Sequence, residues 1–558
     1  MNLSRRSLLA ALAAPVLGQQ QPPPSPQVRF ADVTARAGLN FRHNTGAYGS
    51  KFLPETMGPG CAFLDYDKDG WLDILLANGQ DWPAHRQSRT TLKLLRNNRD
   101  GTFRDVTKEA GLDVEMYALG VTVGDFDNDG FPDLYVTAVG QSRLFHNNGR
   151  GGFVDVTNRA GLGEREAFST SALWFDYDRD GLLDLFVCNY VRWSAAQDVY
   201  CSLDGKSKSY CTPEAYRGST CWLFRNRGNG SFEDVTAKSG IFDPSSKSLG
   251  VAMLDFDNDG WPDLLVANDT QPNKLYRNNR NGTFSEAGVR QGIAFSEDGR
   301  ARAGMGIDVG DFARSGQPGI AITNFDNEMM GLYEKTPTGF KDTALTRGVG
   351  VPSRERLGFG CLFGDFDLDG HLDLFVLNGH IDDTVRNVGR SVPHAQVPHL
   401  FLNNGSGQFR DAALEAGPEF SSPKIGRGVA LGDFDRDGDL DLLVTTNGGL
   451  AHLYRNDTSN GHQSIRFRLQ GRQSNRDAIG ATVEVFDGSG RQYQMVKSGS
   501  SYLSSSDGAL TFGMGLARKV ERVVIHWPSG RIDEMRNLET GKTYGWIEGE
   551  RARPLSGR

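Results

Sequence analysis

The chain has 558 residues, of which 23% are charged and 38% hydrophobic, and carries a formal charge of −8. That length exceeds one ordinary core unless the chain is built from repeats, and an acidic chain without a basic stripe argues against a nucleic-acid partner. The 69 glycines among short Val, Leu and Phe runs suit an all-β, turn-rich fold, and no segment after residue 18 has the apolar length of a membrane span.

Residues 1–18 read as an export signal, with Arg5-Arg6 ahead of an Ala/Leu stretch. The adjacent arginines resemble a twin-arginine signal, which exports a folded protein. A plain secretory signal is the alternative and leads to the same side, so the expected location is periplasmic or secreted. Residues 19–27 hold four prolines and read as an extended leader.

From residue 28 to 457 two segments alternate. The first is Asp-x-Asp-x-Asp-Gly-x-x-Asp, flanked by short apolar runs. Six copies are intact: Asp65, Asp67, Asp69 and Asp73; Asp125, Asp127, Asp129 and Asp133; Asp176, Asp178, Asp180 and Asp184; Asp255, Asp257, Asp259 and Asp263; Asp365, Asp367, Asp369 and Asp373; Asp433, Asp435, Asp437 and Asp441. Carboxylates at alternate positions around a Gly turn converge on a hard cation, and calcium takes six to eight oxygens. An EF-hand needs Glu at the twelfth position, but counting gives Leu76, Val136, Val187, Val266, Val376 and Val444, which are strand interiors. A copy beginning at Asp311 has Ala313, Ser315 and Gly319 in place of three carboxylates, so it is expected to hold no ion, with Arg314 filling part of the space. About six Ca²⁺ are therefore expected, and they would turn the formal −8 into about +4.

The second segment is fullest as Leu95-Arg-Asn-Asn-Arg-Asp-Gly-Thr-Phe103-Arg-Asp105, and it recurs at 144–157, 223–236, 275–287, 332–343 and 401–412. Asn and Gly between apolar runs mark a hairpin. Each unit is thus four strands: A before the acidic loop, B after it, then the hairpin C–D. Residues 28–34 form a D strand with no unit before it, and the last unit stops at a C strand ending in Asn456. The expected fold is all-β: a seven-bladed β-propeller with calcium loops, closed by its N-terminal strand and followed by a small C-terminal β-domain.

Strand direction puts the A–B loops and C–D turns on one face and the B–C and D–A loops on the other. The long insertions 78–91, 189–220 and 378–399 fall on the second face, where a partner is expected. Asn78, Asn189, Asn268, Asn324 and Asn378 each stand five residues after the ninth loop position. They form either a ring of amides for a sugar or peptide, or caps of turns. Arg302, Arg356 and Arg427, just before strand A, and Glu55 in the matching stretch are candidates to line the same mouth. Trp82, Tyr190, Trp193, Tyr200, Tyr210 and Tyr216 could stack on sugar rings or pack the insertions down. His380, His394 and His399 share one insertion and could bind a transition metal or act as bases, but their spacing fits no metal motif and they read as surface histidines. Cys201 and Cys211 are the expected disulfide, Cys188 and Cys221 could bridge the strands flanking that insertion, and Cys61 and Cys361 read as buried thiols. His-Glu-x-x-His, Gly-x-Ser-x-Gly, Walker and Cys-x-x-Cys motifs are absent.

Residues 461–550 change to alternating strands of a compact β-domain, joined by a connection short enough to favour a fixed contact. Three stretches stand out: Ser474-Asn-Arg-Asp-Ala-Ile-Gly480, Gly499-Ser-Ser-Tyr502-Leu-Ser, and Trp527-Pro-Ser-Gly530. They are similar to the ASPIC/UnbV domain, and the nine-residue acidic loops resemble those of FG-GAP/VCBS repeats in integrin α-type propellers. Together they resemble the cartilage acidic protein-like family. The resemblance implies calcium, export and architecture rather than a reaction. The leading expectation is an exported calcium-binding propeller that recognises an extracellular glycan or protein. The alternatives are a calcium-associated lyase or hydrolase on the insertion face, or a non-catalytic scaffold.

Overall fold

The computed structural model describes residues 28–384, 392–488 and 490–555; the expected export signal and leader lie outside them. The repeat forms seven antiparallel units of four strands each, the second and third joined into one eight-stranded sheet where Ala167 and Phe168 pair with Gly140 and Val139. The first has strands Cys61–Leu64, Asp73–Leu76, Lys93–Asn97 and Phe103–Asp105. The first strands of the next six are Ala118–Gly124, Ala167–Phe175, Ser248–Leu254, Ile307–Gly310, Gly358–Gly364 and Gly426–Gly432. These seven innermost strands touch one another in a closed cycle, as the blades of a propeller do. Second strands such as Asp184–Asn189 are buried along their whole length, because each sheet is covered on both faces by its neighbours. Ring closure comes from the N-terminus: Phe30–Asp32 pairs with His452–Asn456 as the outer strand of the seventh sheet, with Phe30 opposite Asn456.

Repeated joints fasten blade to blade. The Asn that ends the third strand reaches back to a backbone carbonyl in the preceding blade's acidic loop. Asn147 Nδ2 donates to the Tyr66 carbonyl at 2.8 Å, Asn226 to Phe126 at 2.8 Å, Asn278 to Tyr177 at 2.8 Å, Asn403 to Phe312 at 2.8 Å and Asn456 to Phe366 at 2.9 Å. Asn97 closes the circle on the Phe434 carbonyl at 3.0 Å. The rings at these loop positions pack on a Phe of the next blade, as Tyr66 does on Phe153 and Phe312 on Phe409. In the fifth blade Lys335 stands where the Asn would be, its Nζ 4.7 Å from the Phe256 ring centroid.

The C-terminal unit has two four-stranded sheets. One orders Leu510–Gly513, Ser464–Gln470, Lys542–Ile547 and Arg553–Pro554; the other Gly490–Met495, Thr482–Asp487, Lys519–His526 and Ile532–Glu539. Buried Glu548 ties two of its motif stretches together, accepting from the backbone N–H groups of Arg472, Gln473 and Ser474 and from the Ser529 hydroxyl. The unit is docked on the face that carries the acidic loops. Asn128 accepts from the Arg476 N–H at 2.8 Å, and Arg179 donates to the Pro528 carbonyl at 2.6 Å. From this cap residues 498–507 run down the propeller axis. There they bond to inner strands of several blades: Val121 N–H to Leu503 O at 3.0 Å, Ile307 N–H to Ser501 O at 2.9 Å and Phe63 N–H to Ser505 O at 3.1 Å. Tyr502, fully buried at the tip, donates to the Met57 carbonyl at 3.2 Å. The second motif stretch of the C-terminal unit, Gly499–Ser504, is therefore a plug that fills the channel.

Candidate functional site: acidic loops and insertion face

In each intact loop the backbone aims the carboxylates. Asp65 accepts from the Asp69 and Gly70 N–H groups at 2.9 and 3.0 Å; Asp73 accepts from Tyr66 at 3.2 Å and Asn97 at 2.8 Å. Asp125 and Asp133 repeat the pattern with Asp129, Gly130, Phe126 and Asn147. The fourth loop position has positive φ in all seven copies, at Lys68, Asn128, Arg179, Asn258, Arg314, Leu368 and Arg436. Left-handed backbone at non-glycine residues is strained, and its recurrence shows how tightly the turn is specified.

Carboxylate oxygens of Asp65, Asp67 and Asp73, of Asp125, Asp127 and Asp133, of Asp176, Asp178 and Asp184, and of Asp255, Asp257 and Asp259 lie within 4.8 Å of one another in each group. The third-position Oδ1 atoms of Asp67, Asp178, Asp257 and Asp435 are buried without a hydrogen-bond partner. A buried acceptor without a donor is costly, and a hard cation satisfies it. The loops therefore fit calcium. Burial, helped by neighbouring carboxylates, pushes Asp73, Asp125 and Asp263 up to about 8, Asp133 and Asp176 to about 7, and Asp255 and Asp435 to about 6. The third strand also sends a basic residue to most loops: Arg96 to Asp67 at 2.6 Å, Arg225 to Asp178 at 2.7 Å, Arg277 to Asp257 at 2.6 Å and His146 to Asp133 at 3.1 Å. Sequence reasoning missed these residues, although each one directly precedes the repeated Asn. In the fifth loop Asp311 keeps the turn through the Ser315 and Gly316 N–H groups at 2.8 and 2.6 Å. Arg314 does not fill that loop as expected; it reaches Asp487 of the cap at 3.2 Å, because the fixed αL turn directs it outward.

On the insertion face the asparagines take the turn-capping one of their two readings, while Arg427, His380 and His399 depart from expectation. Asn78, Asn189, Asn268, Asn324 and Asn378 are buried and bond to loop backbone rather than lining an opening, the last four within their own B–C loops and Asn78 to the segment before strand A. Asn189 Nδ2 donates to the Thr220 carbonyl at 2.8 Å, Asn268 to Pro272 at 2.8 Å, Asn324 to Met329 at 2.8 Å and Asn378 to Val397 at 2.9 Å, while Asn78 Oδ1 accepts from Asn44 N–H at 2.9 Å. Short polar side chains at a strand end find the nearest loop backbone first. Arg427 is fully buried, donating to the carbonyls of Thr56 at 2.8 Å, Gly379 at 3.1 Å and Gly426 at 2.6 Å, and lies 3.9 Å over the Phe359 ring. Burial holds its guanidinium down at about 9. It is a joint between blades, not a charge at a mouth. Arg302 pairs with Asp342 at 2.9 Å, and Arg356 is half-buried. His380 and His399 are likewise buried rather than on the surface, with His399 bonded to Asp411 at 2.6 Å.

Most insertion aromatics pack down instead of facing solvent. Trp82 stacks on Tyr117 at 4.7 Å and meets Trp193 at 5.3 Å; Tyr190 donates to buried Asp269 at 2.6 Å. Tyr200 alone among the six stands out, 66% exposed. Buried Glu55 joins two insertions, accepting from Trp82 Nε1 at 3.2 Å and from Tyr210 OH at 3.1 Å, and burial raises its carboxyl. Lys51 meets Asp383 of the third insertion at 2.5 Å. Cys201 and Cys211 form a disulfide, whereas Cys188 and Cys221 are buried thiols on adjacent strands, as are Cys61 and Cys361 in their own blades. Among the described residues no helix is long and apolar enough to cross a membrane.

An FG-GAP-like repeat profile matches residues 65–136, 125–187, 204–266, 255–322 and 365–444, and an ASPIC and UnbV profile matches 471–553. Cartilage acidic protein 1 of Homo sapiens is 23% identical over 518 residues, 89% of this chain and 72% of that protein. The Xenopus tropicalis protein of the same name is 24% identical over 508 residues, 86% and 71% of the two chains. Among solved structures, an Agrocybe aegerita lectin that recognises non-reducing terminal N-acetylglucosamine superposes with a TM-score of 0.38 and 16% identity, covering 67% of this chain and 83% of its own.

Proposed function

Starting from a chain that belongs to the family of FG-GAP-like repeat proteins with a C-terminal ASPIC and UnbV domain, we propose an exported, calcium-stabilised recognition module for an extracellular glycan or protein. In this reading residues 1–18 direct export, residues 28–457 form the propeller, and residues 461–550 form its cap. The twenty-four aspartates of the six intact loops hold about six Ca²⁺, which neutralise clustered charge and fix each A–B turn. The Cys201–Cys211 disulfide agrees with an oxidising compartment.

The observation that carries the reading is the convergence of insertions from three blades. Glu55 links Trp82 and Tyr210, Lys51 links Asp383, and Phe52 packs on both Trp82 and Trp193. The cap covers the opposite face and the plug fills the axis, which leaves this braced platform as the broad surface for a partner. A rigid surface of this kind binds with little ordering cost. Its exposed crest carries Tyr200, Leu203 and Lys206.

The test is a glycan array and a panel of purified matrix proteins, read in calcium with the wild type and with Tyr200→Ala/Lys206→Glu. Saturable binding that weakens at least tenfold in the double variant is expected. Equal binding by both would move the site off this face.

A further inference from the structure

The seventh loop differs from the other five intact ones at its seventh position. There Trp71, Phe131, Leu182, Trp261 and His371 stand in the other loops, and Asp439 stands in this one. Five carboxylates therefore share a single nine-residue turn. Three of their oxygens, Oδ1 of Asp433, Asp435 and Asp439, are buried and have no hydrogen-bond partner. Asp433 is only 3% exposed. Its other oxygen is occupied: Oδ2 accepts from the Gly438 N–H at 3.2 Å and from Arg466 of the cap. Arg466 is buried, and its guanidinium also bonds Thr511 Oγ1 at 3.0 Å and Asp507 at 3.3 Å. The cap touches the turn once more, where Ser464 Oγ donates to the Gly438 carbonyl at 2.5 Å. The cap thus engages one oxygen of Asp433 and leaves the other, with those of Asp435 and Asp439, without a donor.

Resting on the calcium reading of the loops, we propose that Asp439 is a fifth carboxylate ligand of the seventh loop, making it the strongest cation site of the ring, and that Arg466 tunes that site across the domain boundary. More anionic ligands raise affinity for a hard divalent cation, and a cation held at the other oxygen of one ligand lowers it. The two residues therefore act with opposite sign.

Calcium titration calorimetry on the metal-free full chain separates them, with Asp439→Asn, Arg466→Gln and, as a control at the same position of another loop, His371→Asn. Asp439→Asn should weaken the tightest class of sites at least tenfold. Arg466→Gln should tighten that class several-fold, and His371→Asn should leave it unchanged. Asp439→Glu, which keeps the carboxylate, should restore binding and shows whether a loss comes from misfolding. An unchanged tightest class in Asp439→Asn, or weakening in Arg466→Gln with the fold intact by circular dichroism, overturns the proposal. Failure of the calcium reading itself looks different: the wild type would then bind no calcium.

Discussion

Replacing Tyr502 by Ala tests whether the plug is part of the propeller's structure or an ornament on its axis. The side chain is fully buried, edge-on to Phe359 at 4.9 Å, and its hydroxyl serves the Met57 carbonyl. Truncating a buried aromatic costs about 3–5 kcal/mol, and the orphaned carbonyl adds to that. If the cost falls on plug seating, the plug opens roughly two to four orders of magnitude more often, at one decade per about 1.4 kcal/mol. The amides of Phe63, Val121 and Ile307 report this directly, because their hydrogen bonds run to Ser505, Leu503 and Ser501. Hydrogen exchange followed by mass spectrometry should show these amides exchanging faster by that factor, while second-strand amides such as Leu185 keep their protection. Tyr200→Ala, at an exposed site, should change neither set. Unaltered protection of all three amides in Tyr502→Ala would refute the idea that the plug is seated by its tip.

Gly60→Ala attacks the same contact from the propeller side, since a Cβ there would lie 1.8 Å from the Leu503 carbonyl oxygen; it should release the same amides, and normal protection would count against the fit. Asn147→Ala leaves the Tyr66 and Pro132 carbonyls without their donor and should destabilise the chain by about 2–4 kcal/mol in urea denaturation. A loss below about 0.5 kcal/mol, the usual range for surface substitutions, would mean the joint contributes nothing. The metal-free chain should lose stability as pH rises from about 4 to about 8. Buried loop carboxylates such as Asp73, Asp125 and Asp263 keep protons in the folded state up to about 8, whereas the unfolded chain releases them near 4. Thermal melts in chelator should therefore fall with pH across that window, and melts in excess calcium should stay nearly flat; parallel curves would contradict the linkage.

The repeat architecture was legible because its signal is redundant. Six acidic loops, the hairpin segments between them, and a D strand at one end matched by a missing D strand at the other each say the same thing. The plug was not legible, although its residues had been singled out. Its partners are backbone N–H and C=O groups of inner strands, and those groups are the same for every sequence. The Asn ring was visible but open to two readings, because an amide at a strand end looks alike whether it serves a ligand or its own loop; burial decides. Arg427 could not be anticipated either. A guanidinium satisfied by carbonyls and an aromatic face leaves no complementary carboxylate in the sequence to point at it. The opposite signal, an Arg or His before every repeated Asn but Asn403, was present and simply had no role until the loops were seen beside it.

The interblade asparagines give the ring a direction and a seam. Every staple points from a blade to the one made before it, except Asn97, which waits for Phe434 and so latches only when the last blade arrives. Between the fourth and fifth blades the Asn is replaced by a lysine resting on an aromatic ring. That joint has a cation over two aromatic rings where the other six have an amide bonded to a carbonyl. Spin labels on either side of that seam would separate before labels across any asparagine-stapled joint.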